Sequence, residues 1–260
     1  MSRDSELPAL VVEDLWVRYR TSYERRLTLK RALLRLGRRE HLTREVLAVR
    51  GLSFTLPRGS VLGIIGQNGA GKSTLLRTIG GILPPTSGRV TVRGRVSTLL
   101  SLGVGFNKEL TGRDNVILGG LAAGFRLDEI RERFDEIATF ADLGEFIDVP
   151  MRAYSAGMFS RLAFAVAVHL EPEILLIDEA LSTGDAAFKK KSLEKMRELI
   201  AGDCTVVIVS HGLSLIEELA DTCLWIERGE LRELGEPAFV VAEYMEVKKV
   251  ARTAAAMEDL

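Results

Sequence analysis

Residues 66–74 read GQNGAGKST, a run whose glycine, lysine and hydroxyl spacing suits one task, the holding of a phosphate chain. Gly66, Gly69 and Gly71 let backbone N–H groups curl inward around an anion with no Cβ in the way. Asn68, Ala70 and Thr74 complete the nucleotide-binding segment. Lys72 is placed to bridge β- and γ-phosphates, and Ser73 to ligate Mg²⁺, which makes ATP the expected ligand. The apolar run Val61–Ile65 before the loop predicts a strand, and a helix is predicted from near Gly71, its positive end toward the anion. An incidental glycine-rich turn would need neither.

A second apolar run, Ile174 to Ile177, delivers Asp178 and Glu179 at its C-terminal end, where α/β sheets place ligands. Asp178 is expected to hold Mg²⁺, directly or through water, and Glu179 to polarise the attacking water as general base. In isolation such a pair is as often a helix N-cap. Of the histidines, His41 and His169 read as structural, whereas His211 closes the strand-like run ending at Val209-Ser210.

The elements that must position these groups follow from periodicity. Strands are predicted at Leu10–Val17, Val46–Leu56, Gly88–Val92, Val96–Leu100 and Thr205–Val209. Helices are predicted at Asp128–Phe140, Ser160–Leu170 and about Ala187–Ile200, the last a crossover between parallel strands. The expected fold is α/β: a P-loop NTPase (RecA-like) core with an antiparallel β subdomain and a helical subdomain over about 105–170. Residues 1–9 read as a tail, 10–245 as the ATP-binding domain and 246–260 as a polar, alanine-containing tail. With 260 residues, 47% of them hydrophobic, the chain can bury a sizeable core, and it contains no internal repeat. A net charge of −1 gives no reason to expect a nucleic-acid partner. Cys204 and Cys223 lie in apolar runs and read as buried reduced thiols. The longest apolar stretch, Leu162–Leu170, is too short for a bilayer core of roughly 30 Å, and the N-terminus lacks the apolar centre of a secretory signal.

Tyr154-Ser155-Ala156-Gly157-Met158, followed by Arg161-Leu162-Ala163, resembles the signature segment of ABC transporter ATPases. A serine and a bare glycine backbone at a helix N-terminus form an anion site. In the family that site faces the γ-phosphate held by the opposite subunit, so the resemblance implies a homodimer with Ser155, Ala156, Gly157 and Met158 acting in trans. It further implies that Asp185, in Leu181-Ser182-Thr183-Gly184-Asp185, belongs to the loop at the dimer interface. By the same resemblance His211 contacts the γ-phosphate and Tyr19 stacks on adenine, although a strand tyrosine also packs on a core. A lone P-loop kinase or GTPase would leave the signature segment unexplained, and Asn107-Lys108 is followed by Glu109-Leu110, not by a base-reading NKxD string.

YSAGM where LSGGQ is commoner, LSTGD, and LGVGFNKELTGRDNV at 102–116 are similar to the ATPases of polysaccharide exporters, which move O-antigen, capsule, teichoic acid or cell-wall glycan on a lipid carrier. The implied assembly is two ATPase subunits and two integral-membrane subunits, peripheral on the cytoplasmic face of the inner membrane. Gln67 is the only glutamine in the chain. The loop where most ABC ATPases carry one therefore lacks it, and a residue near Ser101 occupies the region. Residues 20–46 hold nine Lys/Arg against three Glu among leucines. They are expected to form an amphipathic helix at the inner leaflet, each basic residue contributing about 1 kcal/mol near anionic lipid; a solvated helix is the alternative. After about Glu243 too little chain follows for the C-terminal β-sandwich of some O-antigen exporters. Other readings are an ABC ATPase serving a different substrate, or a soluble ABC-type ATPase acting on nucleic acid or ribosomes.

Overall fold

The computed structural model describes residues 7–22, 43–99, 105–178 and 185–258. Strands β1 (Leu10–Ser22), β2 (Thr43–Leu56) and β4 (Ser87–Val92) form an antiparallel sheet in the order β2-β1-β4. A six-stranded sheet runs β5-β6-β7-β3-β8-β9, built from β3 (Val61–Ile65), β5 (Val96–Thr98), β6 (Ile174–Asp178), β7 (Thr205–Val209), β8 (Thr222–Glu227) and β9 (Glu230–Gly235). All its pairings are parallel except β8 with β9.

The central strands are apolar throughout because both faces are covered. Alternation then sends their side chains into two cores. Leu62 and Ile64 of β3, Leu176 of β6, Val207 and Val209 of β7 and Leu224 of β8 pack toward the antiparallel sheet and α1 (Lys72–Ile79). Val61, Ile65, Leu175, Ile177, Val206, Ile208, Cys223 and Trp225 face the opposite core. That second core contains the helices α2 (Gly112–Ala122), α3 (Leu127–Glu132), α4 (Phe134–Ala141) and α5 (Ala156–His169), through residues such as Val116, Ile130, Ile137 and Leu162. It also takes Phe188 of α6 (Ala186–Ala201), Ile216 of α7 (Leu213–Leu219) and Val240 of α8 (Pro237–Glu258).

Several boundaries differ from the sequence expectation. β1 and β2 pair out to Ser22 and Thr43, so residues 20–22 and 43–46 are strand, not part of an amphipathic helix; residues 23–42, where that helix was expected, lie outside the described residues. Cross-strand pairing explains the extension, since Arg18 and Arg20 both bind Glu45 of the neighbouring strand, at 2.9 and 3.1 Å. The single helix expected over Asp128–Phe140 is divided at Arg133, which ends α3 and starts α4 while pairing with Glu136 and with the distant Glu171. Residues 246–258, expected as a polar tail, continue α8. That helix is held at its base by buried Val240, Val241 and Tyr244, with the Tyr244 ring edge-on to Trp225 at 5.5 Å. The N-terminal segment is tied down from Pro8 onward, whose carbonyl accepts from Arg93 at 3.1 Å.

Candidate nucleotide-binding site

The phosphate loop leaves β3 at its C-terminal edge and enters α1 directly. Gly66 has φ 149°, and a Cβ there would lie 2.3 Å from the Ile226 carbonyl oxygen. Gly71, at φ 110°, would press one to 2.3 Å from the Ala48 carbonyl oxygen. These two positions admit only glycine, because β8 and β2 close on the loop from behind. Gln67, Asn68 and Gly69 remain exposed, while Ala70 is buried. Its carbonyl accepts from Gly229 N–H at 2.9 Å, pinning the loop to the β8–β9 turn.

Lys72 is only 6% exposed. An ammonium so placed must be compensated, and its Nζ donates to the carbonyls of Gly66 (2.7 Å) and Gln67 (3.0 Å). It thus stands across the mouth of its own loop. Ser73 and Thr74 are half-buried in the first turn of α1. Tyr19, near the far end of β1, reaches the same turn, its hydroxyl 3.3 Å from Thr74 Oγ1. The structure therefore brings Tyr19 to the edge of the phosphate loop.

Strand register brings the acid into place. Asp178 pairs with Val209, and Val209 pairs with Ile64. Asp178 therefore sits two strands from the root of the phosphate loop, about 10 Å at usual strand spacing. His211 lies just beyond Val209 on the same edge and is exposed. Ser73 and Asp178 present hydroxyl and carboxylate oxygen, a donor set that suits Mg²⁺ completed by nucleotide phosphates and water. Among the described residues no cluster of three or more His, Cys, Asp or Glu exists that would cage a metal without them. Glu179, Ser101 and residues 181–184 lie outside the described residues.

The signature segment opens α5. Ser155 is its N-cap, accepting from Met158 N–H at 3.2 Å. Ser155 and Ala156 are exposed, Gly157 and Met158 half-buried. A Cβ on Gly157 would meet nothing nearer than Ser155 Oγ at 3.8 Å. The chain's own packing gives no reason for glycine there.

Asp185 caps α6, accepting from Phe188 N–H at 2.9 Å. It also forms an ion pair with Arg161 of α5, whose guanidinium lies 5.3 Å above the Phe188 ring. The Phe188 N–H, then Arg161, hold the Asp185 carboxyl below the usual range. Sequence reasoning missed this tie because its partners are 24 residues apart. It also missed Asn115, fully buried, whose amide donates to the carbonyls of Asn107, Leu110 and Thr111. Both residues stand in strings already singled out, but nothing local says that they bind. A cleft of about 700 Å³ lined by Arg58, Glu171, Glu173, Glu198, Asp203 and others lies at the opposite, N-terminal ends of β6 and β7, away from these groups.

The ABC transporter family profile matches residues 49–182, just over half the chain. The chain belongs to the ABC transporter family. The phosphate loop, Asp178 and the segment Tyr154–Met158 all lie inside the matched region. An O-antigen export system ATP-binding protein of Myxococcus xanthus is 45% identical over 255 residues, 96% of this chain but 58% of that protein. One from Klebsiella pneumoniae is 44% identical over 201 residues, 77% of this chain and 82% of its own length. A teichoic acids export ATP-binding protein of Shouchella clausii is 40% identical over 87% of this chain and 61% of its own length. Among solved structures, an ATP-binding subunit of an ABC transporter superposes with TM-score 0.71 at 22% identity, covering 91% of this chain and 93% of that one. A dimeric ATP-binding cassette in a post-hydrolysis state with ADP and Pi gives 0.69 at 21% identity. These two show the ABC ATPase fold. Among the described residues no helix is long and apolar enough to cross a membrane.

Proposed function

We propose that the chain is the ATP-hydrolysing subunit of an exporter that drives a lipid-linked polysaccharide through a separate membrane-spanning partner. One observation carries the substrate class: relatives named for O-antigen export and relatives named for teichoic acids export both match over most of this chain at 40–45% identity. Nothing comparable favours a nucleic-acid or ribosomal role.

ATP would enter with its base against Tyr19 and its phosphates in the 66–74 loop. Phosphate oxygens then replace the Gly66 and Gln67 carbonyls as partners of the Lys72 ammonium. Ser73 and Asp178 would hold Mg²⁺, which would supply neutralisation of the phosphate charge. Glu179, one residue past the end of β6, takes a proton from the water that attacks the γ-phosphate, and His211 contacts the same phosphate. Completion comes from a second copy. The exposed Ser155 hydroxyl and the open Gly157 backbone suit an anion arriving from outside the chain, which explains a glycine that internal packing does not require. Asp185 belongs to the same interface. The working assembly is two of these subunits with two membrane subunits, peripheral on the cytoplasmic face of the inner membrane. Residues 23–42 retain the basic, leucine-containing composition suited to the inner leaflet.

Glu179→Gln tests the reading. With MgATP the variant should bind nucleotide, lose at least about a hundredfold in turnover and elute as a trapped dimer. In a strain lacking the native gene it should fail to restore surface polysaccharide. Wild-type turnover would remove Glu179 as the base, and normal surface polymer in the gene deletion would remove the export role.

A further inference from the structure

The residue before the signature serine is a tyrosine, where the commoner ABC string has leucine. Its side chain does something that leucine cannot. The Tyr154 hydroxyl donates to the Phe146 carbonyl at 2.6 Å, and the backbone N–H of Gly112 faces the phenol oxygen from the other side. Gly112 is the first residue of α2, where backbone N–H groups lack helical partners. A Cβ on Gly112 would lie 2.2 Å from the phenol oxygen and 3.0 Å from the Ile147 carbonyl oxygen. The phenol therefore occupies space left by glycine, between the start of α2 and the 3-10 turn Gly144–Asp148. Burial raises the phenol above its usual range, so it stays protonated and donates throughout the physiological range.

The start of α2 that the phenol meets is itself held by hydrogen bonds. Asn115, fully buried, gathers three carbonyls with its amide and accepts from Asn107 N–H at 2.7 Å through Oδ1. This folds residues 107–111 against α2. Met151 N–H then donates to the Leu110 carbonyl (2.9 Å) and Arg152 N–H to the Lys108 carbonyl (2.8 Å). Thr111 and Pro150 form a bridge. The chain entering the signature is thus stitched to the 107–112 platform, and the Tyr154 phenol is the last tie before Ser155.

We propose that Tyr154 is a positioning residue for ATP hydrolysis: its phenol, locked between Gly112 and Phe146, sets where Ser155 and Gly157 stand when they meet the nucleotide held by a second copy of the chain. Ser155 and Ala156 are exposed, and the cap from Met158 N–H to Ser155 ties them only to their own helix, so the placement of that helix start against the 107–112 platform depends on the anchor beside it. The proposal rests on the reading that the signature acts in trans.

The experiment uses the full chain and measures ATP hydrolysis, melting temperature and dimer yield in the Glu179→Gln background. Tyr154→Phe keeps the ring and removes the hydroxyl. It should lower kcat about tenfold and reduce the trapped dimer, yet leave the KM for ATP within about twofold, since the phosphate loop of the same chain is untouched. Gly112→Ala drives a methyl into the phenol oxygen and should give the same phenotype. The double variant should recover part of the Gly112→Ala loss, because removing the oxygen makes room for the methyl. Ser155→Arg is the control. Wild-type kcat in Tyr154→Phe with an inactive Ser155→Arg overturns the positioning role alone. Full activity of Ser155→Arg overturns the trans signature and the proposal with it. A Tyr154→Phe loss that only follows a fall in melting temperature, or a double variant worse than either parent, also overturns it.

Discussion

At the scale of single residues, the protein manages buried and exposed charge in two ways. Lys72 is buried and donates to the backbone carbonyls of Gly66 and Gln67. Asp185 is exposed and is satisfied by a helix N–H and by Arg161. Its carboxyl is held below the ordinary range, first by the Phe188 N–H and then by Arg161. A lowered folded-state value means the stabilisation is present above the unfolded value, near 4, and fades as pH falls through the folded one. Asp185→Asn should therefore melt below wild type at neutral pH, by a small amount because the pair is solvated. The gap should shrink below about pH 4. A gap that is constant across pH would show that the cap alone, not the charge, matters. The GQNGAGKST string was legible at this scale because a phosphate loop is made by contiguous residues. Arg161 was not, because its partner Asp185 is 24 residues away; Asn115 and the Tyr154 phenol were not, because no local pattern marks an amide or a phenol that turns back on carbonyls of the preceding turn.

At the scale of elements, β1 was read from alternation, whereas β3, β6 and β7 were read from apolar runs, and their burial on both faces explains why alternation was absent from those three. β3 shows what packing adds. Gly63 is a strand residue where α7 approaches so closely that a Cβ would stand 2.5 Å from Ile216 Cγ2 and 3.2 Å from Ala220 Cβ. Gly63→Ala should cost about 1–3 kcal/mol through overpacking, read as a lower urea midpoint. In the fraction that folds, the KM for ATP should hold, because the methyl points at α7 and not at the loop. An unchanged midpoint would mean that α7 shifts freely and is not a fixed support. The division between α3 and α4 could not be read from periodicity, since Ile130, Ile137 and Phe140 keep helical spacing across it. Arg133 makes the break while reaching Glu171, at 2.7 Å. The continuation of α8 did leave a signal, because alanine, lysine, glutamate and methionine are all good helix formers. Only the docking of Val240, Val241 and Tyr244 gives that composition a helix to extend.

At the scale of the whole molecule, the parallel sheet is the frame on which the chemistry stands. It also shields both thiols. Cys204 and Cys223 are 5% and 0% exposed, and burial pushes them up to about 11 and about 12. Since the thiolate is the reactive form, the native chain at pH 8 should resist a thiol reagent that labels both cysteines once urea has unfolded it. Rapid labelling of the native chain would show that the sheet opens at β7 or β8. The sequence by itself determined the kind of chemistry: phosphate binding by a glycine loop, a carboxylate at a strand end and a serine at a helix start. Each of these depends on neighbours a few residues apart, so local spacing is enough to specify it. The tertiary structure alone decided which groups meet. Register aligns Asp178, Val209 and Ile64 across three strands, Arg161 closes on Asp185, and the space left at Gly112 receives the Tyr154 phenol. Those contacts join residues far apart in the chain, and only the packing of both cores sets the distances between them.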